Sequence, residues 1–205
     1  MDIENKGKFI VFEGIDGSGQ STQAQLLDNF LKDNGLKVIC TKEPTKESEI
    51  GKRIRAILKG EQIIEPRELQ KLFVEDREWH LENIVNPSLN RGEMVICDRY
   101  LFSTIAFGGA DGLDKNWLWQ MNKDFLMPDL LFFIKTSPVV AMTRIDKRDG
   151  GKRQLFEKQE KLERAFHNYQ DIFQQLTTPP FYEINGEVAI EEVFEQIKNI
   201  IIKYL

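Results

Sequence analysis

The 205-residue chain is poor in the residues that staple, ligate or anchor a fold. It has two cysteines, Cys40 and Cys97, each inside an apolar run (Val38-Ile39-Cys40 and Val95-Ile96-Cys97). That setting suits small buried hydrophobes in strands better than a disulfide or a metal site. Its two histidines, His80 and His167, are scattered from the cysteines and lie in helical, charge-rich contexts, so no zinc site is expected and neither is given a role in chemistry. No apolar run approaches the roughly 20 residues of a membrane span. The segment Met1 to Lys6 lacks the apolar core of a signal peptide. Basic residues are not in excess: the net charge is -5 and the pI is near 5.3. A broad nucleic-acid-binding face is thereby excluded, while local basic clusters can still hold small anions. These absences leave a cytoplasmic enzyme with no membrane and no nucleic-acid partner as the expectation.

What the chain does have is alternation. Phe9–Phe12 is a continuous apolar run, as a strand buried on both faces requires. Ser21 to Asn34 follows with Leu26, Leu27, Phe30 and Leu31 at helical spacing, and Gly35 closes it. Further strands are expected at Lys37–Thr41, Met94–Cys97, Leu130–Ile134 and Phe181–Ile184. Helical patterns separate them, the longest from Glu68 to Asn90. Strands joined by helical crossovers imply an α/β fold: a five-stranded parallel sheet with helices on both faces, in three α/β/α layers. No linker divides residues 1–205, so a single domain is expected. In such sheets ligands bind beyond the carboxyl ends of the strands.

The chemistry-bearing residues stand at those ends. Strand one runs into Gly14, Ile15, Asp16, Gly17, Ser18, Gly19, Gln20, Ser21 and Thr22, and then a helix. This is the G-x-x-x-x-G-K-[ST] phosphate loop with glutamine in the lysine slot. Glycines let backbone N–H groups converge on a phosphate, and the helix N-terminus adds partial positive charge. Ser21 stands where such a loop's hydroxyl reaches Mg²⁺. Gln20 offers a neutral donor, about half as strong as the charge-assisted donor a lysine would give. Another cation therefore has to compensate, or the chain binds nucleotide and turns over slowly. At the end of strand three, Asp98 can organise Mg²⁺ beside the loop and Arg99 can grip a phosphate bidentately.

Joined together, these segments make the chain similar to thymidylate kinases over nearly its whole length. The resemblance rests on Phe12 to Gly19, Glu43-Pro44, Leu72 to Arg77, Asp98-Arg99-Tyr100 with Ser103, Ala106 and Phe107, and Pro128-Asp129. It implies a P-loop kinase fold, phosphoryl transfer from ATP to dTMP with Mg²⁺, and a homodimer; the Glu68–Asn90 helix with Phe73, Trp79, Leu81 and Ile84 offers a face for it, and a core helix would look the same. It also implies roles. Asp16 would hold the acceptor side of the site, Phe73 would stack on thymine and Arg77 would bond its carbonyl edge. Arg99 would bind the dTMP phosphate, with Lys46 in the place of a second phosphate-binding residue. Ser103 belongs to the same stretch, and Phe107 would wall off the 2′ side of the sugar. On the residues alone, Arg77 could equally lie on a solvated face with Glu75, Asp76 and Glu78, and Phe73 and Phe107 could be packing. The basic segment 147–156 would be a lid over ATP, with Arg144, Lys147, Arg148, Lys152 and Arg153 around Gly150-Gly151. Members with glycine at the position of Gly17 usually supply the catalytic arginine from the lid, which makes Arg148 and Arg153 the candidates. Two other readings stay open: a related kinase with a different acceptor, and a nucleotide-binding protein whose catalysis Gln20 has attenuated.

Overall fold

A computed structural model describes residues 7–149 and 155–205. Five strands, β1 (Phe9–Glu13), β2 (Val38–Lys42), β3 (Met94–Asp98), β4 (Leu130–Lys135) and β5 (Phe181–Asn185), form one sheet in the order β2-β3-β1-β4-β5. All neighbours pair in parallel. The expected strands are therefore present, most of them one residue longer at the carboxyl end.

The apolar runs alternate between two faces. Phe9, Val11, Val95, Cys97, Leu131 and Phe133 point to one core. That face is covered by α5 (Leu101–Ala110) and α8 (Leu155–Gln175). Ile10, Phe12, Met94, Ile96, Phe132 and Ile134 point to the other. There α1 (Gln20–Asp33) buries Ala24, Leu27 and Leu31, and α9 (Ile190–Ile201) buries Val193, Ile197 and Ile201, residues spaced at helical period. Apolar covering on both faces explains why the central strands read as unbroken hydrophobic runs.

Two expectations change here. Strand β2 lies at the sheet edge, and Cys40 is exposed although Cys97 is buried. The long helical pattern is α3 (Pro66–His80), a π-helical turn at Leu81–Val85 and α4 (Asn86–Asn90). Leu81 is buried in the chain's own core, so it is not available to a dimer face; Trp79 and Ile84 are half-buried. The remaining crossovers are α2 (Glu49–Leu58), α6 (Lys115–Asn122) and α7 (Pro138–Asp149). Among the described residues, no helix is long and apolar enough to cross a membrane.

Candidate active site

The loop between β1 and α1 turns at two glycines. Gly17 has φ 81°, and a Cβ there would lie 2.4 Å from the Ala141 carbonyl oxygen, so only glycine fits against α7. Gly19 precedes α1 in the left-handed region and provides no side-chain cap. The first-turn N–H groups of α1 are thus left facing the loop, which is what an anion cradle requires. A cleft of about 360 Å³ opens over Ile15 to Thr22.

Arg99 follows β3 with φ 75°, the one non-glycine residue in the left-handed region among the described residues. Its N–H is tied to the Phe12 carbonyl at 2.9 Å, which holds the strained backbone in place. The guanidinium donates to Gly14 O at 2.9 Å, Ser103 Oγ at 3.2 Å and Asp16 Oδ1 at 2.7 Å, and lies 5.2 Å over the Phe107 ring. Arg99 therefore links the phosphate loop to α5. Asp98 ends β3 beside the loop. Its Oδ2 accepts from Ser21 Oγ and from Lys42 Nζ at 2.5 Å, while its Oδ1 is buried with no partner. A free carboxylate oxygen beside a hydroxyl, with few other protein donors, suits Mg²⁺, which binds oxygen ligands and keeps most of its waters.

A second cleft, of about 690 Å³, adjoins the first and is lined by Phe73, Arg77, Thr104 and Phe107 among others. Asp16, Lys42, Arg99 and Arg148 line both clefts. Arg77 is fully buried, which sets aside the solvated-face reading. It donates to Glu43 Oε2 through Nε (3.0 Å) and Nη2 (2.7 Å), to Thr104 Oγ1 at 3.0 Å, and to Asn122 Oδ1. Asp76, its neighbour in that alternative, is also buried and accepts from Thr45 N at 2.7 Å, Thr45 Oγ1 at 2.6 Å and Ser48 Oγ at 2.5 Å. It thereby shapes the segment after β2. His80, given no role from sequence, is buried between Glu43 Oε1 (3.1 Å) and Thr41 Oγ1 (2.8 Å). Its neighbours Glu75 and Glu78 face out while His80 faces in. Glu43, His80 and Cys97 bring three metal-ligand atom types within 4.8 Å, but Glu43 and His80 are engaged inside this network and the Cys97 thiol donates to Arg99 O at 3.0 Å.

Glu13 ends β1 and is completely buried. It accepts from Tyr100 N (2.9 Å), Ser103 N (3.1 Å), Ser103 Oγ (2.6 Å) and Tyr169 OH (2.8 Å). Burial raises its pKa to about 7 against these hydrogen bonds and the nearby Arg99 charge, because desolvation penalises the carboxylate more than they reward it. Ser103 is thus committed to Glu13 and Arg99, and it holds that guanidinium in position.

Three observations bear on the remaining candidates. Phe73 is half-buried against Ile54, Ile57 and Leu72 with one side toward the larger cleft. Lys46 is exposed and does not line that cleft; Arg55 does, anchored on Pro44 O and on Thr45 O at 3.2 Å. Arg144 donates to Ser18 O (3.2 Å) and Gly186 O (2.8 Å), bracing the phosphate loop. Arg153 and Lys152, with Gly150 and Gly151, lie outside the described residues.

A phosphate loop, a strained arginine and two adjoining clefts are the setting in which the comparisons with known proteins fall. The family profile described as thymidylate kinase matches residues 12–197. The chain belongs to the thymidylate kinase family. It is 39% identical over 198 residues to a probable thymidylate kinase of Pyrococcus horikoshii, covering 94% of each chain. It is 36% identical over 193 residues to a thymidylate kinase of Desulfotalea psychrophila, covering 94% of this chain and 93% of that one. A thymidylate kinase of Brachyspira hyodysenteriae is 34% identical over 197 residues, with 96% and 94% covered. As a thymidylate kinase family member, the chain holds its notable residues at the carboxyl edge of the sheet, as the fold requires. The sequence reading passed over Glu13, Lys42, Arg55 and Thr104. A signal existed for two of them: Glu13 and Lys42 are charged residues closing apolar strands at the ligand edge. Arg55 sits on an amphipathic helix and Thr104 on a largely buried apolar one, and neither carries such a mark.

Proposed function

We propose that the chain transfers the terminal phosphoryl group of ATP to dTMP, giving ADP and dTDP for dTTP synthesis. The observation that carries this reading is the meeting of the two clefts at Asp16, Lys42 and Arg99. A donor on the loop and an acceptor in the larger cleft would face one another across these residues. Phosphoryl transfer asks chiefly for positioning and charge neutralisation, and the site is rich in both.

In this reading the loop N–H groups hold the donor's phosphates and Arg99 holds the acceptor's phosphate. Ser21 and Asp98 would hold Mg²⁺, which when bound would neutralise part of the donor's charge. Arg77 reads the acceptor base. An arginine has five N–H groups, and four of them have partners among the described residues, which leaves one on Nη1 for a carbonyl edge. Phe73 packs on the base. Phe107, stacked on Arg99, fills the sugar's 2′ side and selects deoxynucleotides. Asp16 orients Arg99 and the acceptor. Arg55 takes the phosphate-facing place first given to Lys46. Arg148, at the edge of both clefts, is the described candidate for the catalytic lid cation, and Arg153 shares that role. We assign the chain to the cytoplasm as a homodimer, with Trp79 and Ile84 as its remaining apolar contacts.

An acceptor panel tests the assignment. With ATP and Mg²⁺, dTMP is expected to be phosphorylated in preference to dUMP, dCMP and UMP. Strong turnover of dCMP or UMP with none of dTMP would transfer the site to another acceptor.

A further inference from the structure

The phosphate loop holds a neutral side chain where its pattern has a cation. Gln20 cannot supply the charge by reaching outward. It is 4% exposed, and its Oε1 lies against Ser18 Oγ at 3.4 Å and close to Gly14. A positive charge at the start of α1 comes from strand β2. Lys42 closes β2 in register with Asp98 of β3. Its Nζ sits 2.5 Å from Asp98 Oδ2 and 3.0 Å from Ser21 Oγ. Ser21 is the second residue of α1 and the neighbour of Gln20, so this ammonium stands at the mouth of the phosphate cradle. The side chain is 39% exposed, hence accessible to a bound nucleotide, and it lines both clefts.

The other described cations are placed differently. Arg99 is held by Gly14, Ser103 and Asp16, and Arg144 by the carbonyls of Ser18 and Gly186. Arg148 also lines both clefts and is the competing candidate. A lysine is a compact charge with three donors that rotate freely. Lys42 can keep two hydrogens on Asp98 and Ser21 and present the third to a phosphate oxygen.

We propose that Lys42 supplies to the donor's phosphates the positive charge that Gln20 does not. The inference rests on the phosphoryl-transfer reading for its effect on turnover, but its effect on ATP binding is independent of the acceptor. The plain alternative is that Lys42 only neutralises Asp98. A double-mutant cycle separates them. ATP affinity is measured by calorimetry with EDTA, and dTMP phosphorylation with Mg²⁺, for the native chain, Lys42→Met, Gln20→Lys and the double variant. Lys42→Met is expected to weaken ATP binding about 10- to 100-fold, the worth of a charge-assisted hydrogen bond, but only about threefold or less when Gln20→Lys is present. Lys42→Arg keeps the charge, guards against a folding artefact, and is expected to bind ATP more tightly than Lys42→Met. Equal losses in both backgrounds would overturn the proposal and leave Lys42 as the partner of Asp98 alone. So would no loss in the native background, or the same rescue pattern shown by Arg148→Met instead. Binding that follows the expected pattern without dTMP turnover would uphold the Lys42 role and reject the acceptor reading.

Discussion

Replacing Arg77 with methionine tests the buried pair at the base of the acceptor cleft. The substitution keeps most of the volume and removes four hydrogen bonds. Glu43 then remains buried with His80 as its nearest partner, and the carbonyl of Asn122 loses its guanidinium donor. Breaking a buried ion pair by removing one member costs about 3–5 kcal/mol, because the surviving charge stays desolvated. Native stabilities are about 5–15 kcal/mol, so the loss is a large share of the total. Urea unfolding at neutral pH measures it directly. The double variant Arg77→Met/Glu43→Gln removes the stranded charge and is expected to recover at least half of the loss. The single variant is also expected to raise the KM for dTMP, since the remaining Nη1 hydrogen disappears with the pair. A single-variant loss below about 1 kcal/mol, or additive losses in the double, would refute the argument that Arg77 and Glu43 form one energetic unit.

Other predictions follow from the same geometry. Glu13 has a folded pKa of about 7 against an ordinary 4.5. The stability linked to its protonated form is therefore full below about pH 4.5 and is lost as pH rises through about 7, about 3 kcal/mol in all. Glu13→Gln is expected to flatten the stability profile between about pH 4.5 and 7, followed by urea melts; an unchanged slope refutes the assignment. Asp98→Asn is expected to raise the Mg²⁺ concentration for half-maximal activity at least about tenfold, since even a supporting carboxylate is worth about 10- to 100-fold in metal affinity. An unaltered Mg²⁺ titration would remove Asp98 from the metal site. Phe107→Ala is expected to raise kcat/KM for a ribonucleotide relative to its deoxy counterpart about tenfold, as removal of a steric barrier allows; an unchanged ratio leaves Phe107 as packing for Arg99.

The layers were legible because physics writes them plainly. Phe9–Phe12 and Leu130–Ile134 are unbroken apolar runs only because helices cover both faces of those strands. The loop was legible because Gly17 and Gly19 adopt backbones that other residues resist. Cys40 was misread because an apolar run does not reveal that its strand lies at an edge. The burial of His80 and Asp76 was not legible because a helix of mixed charge shows which residues share a face, not which face a partner covers. Their partners, Glu43 and Thr45, come from the segment after β2, more than thirty residues away in sequence. That Arg55 and not Lys46 lines the larger cleft has the same origin. It depends on how α2 folds back onto the Pro44 and Thr45 carbonyls, a tertiary contact with no local signature.

The central claim is that this member of the thymidylate kinase family works with Gln20 in its phosphate loop. Incubating the native chain with ATP, dTMP and Mg²⁺ and quantifying both products tests it most directly. The account predicts dTDP and ADP in equal amounts over many turnovers. ATP binding with no dTDP formed, or ADP released without dTDP, would contradict it.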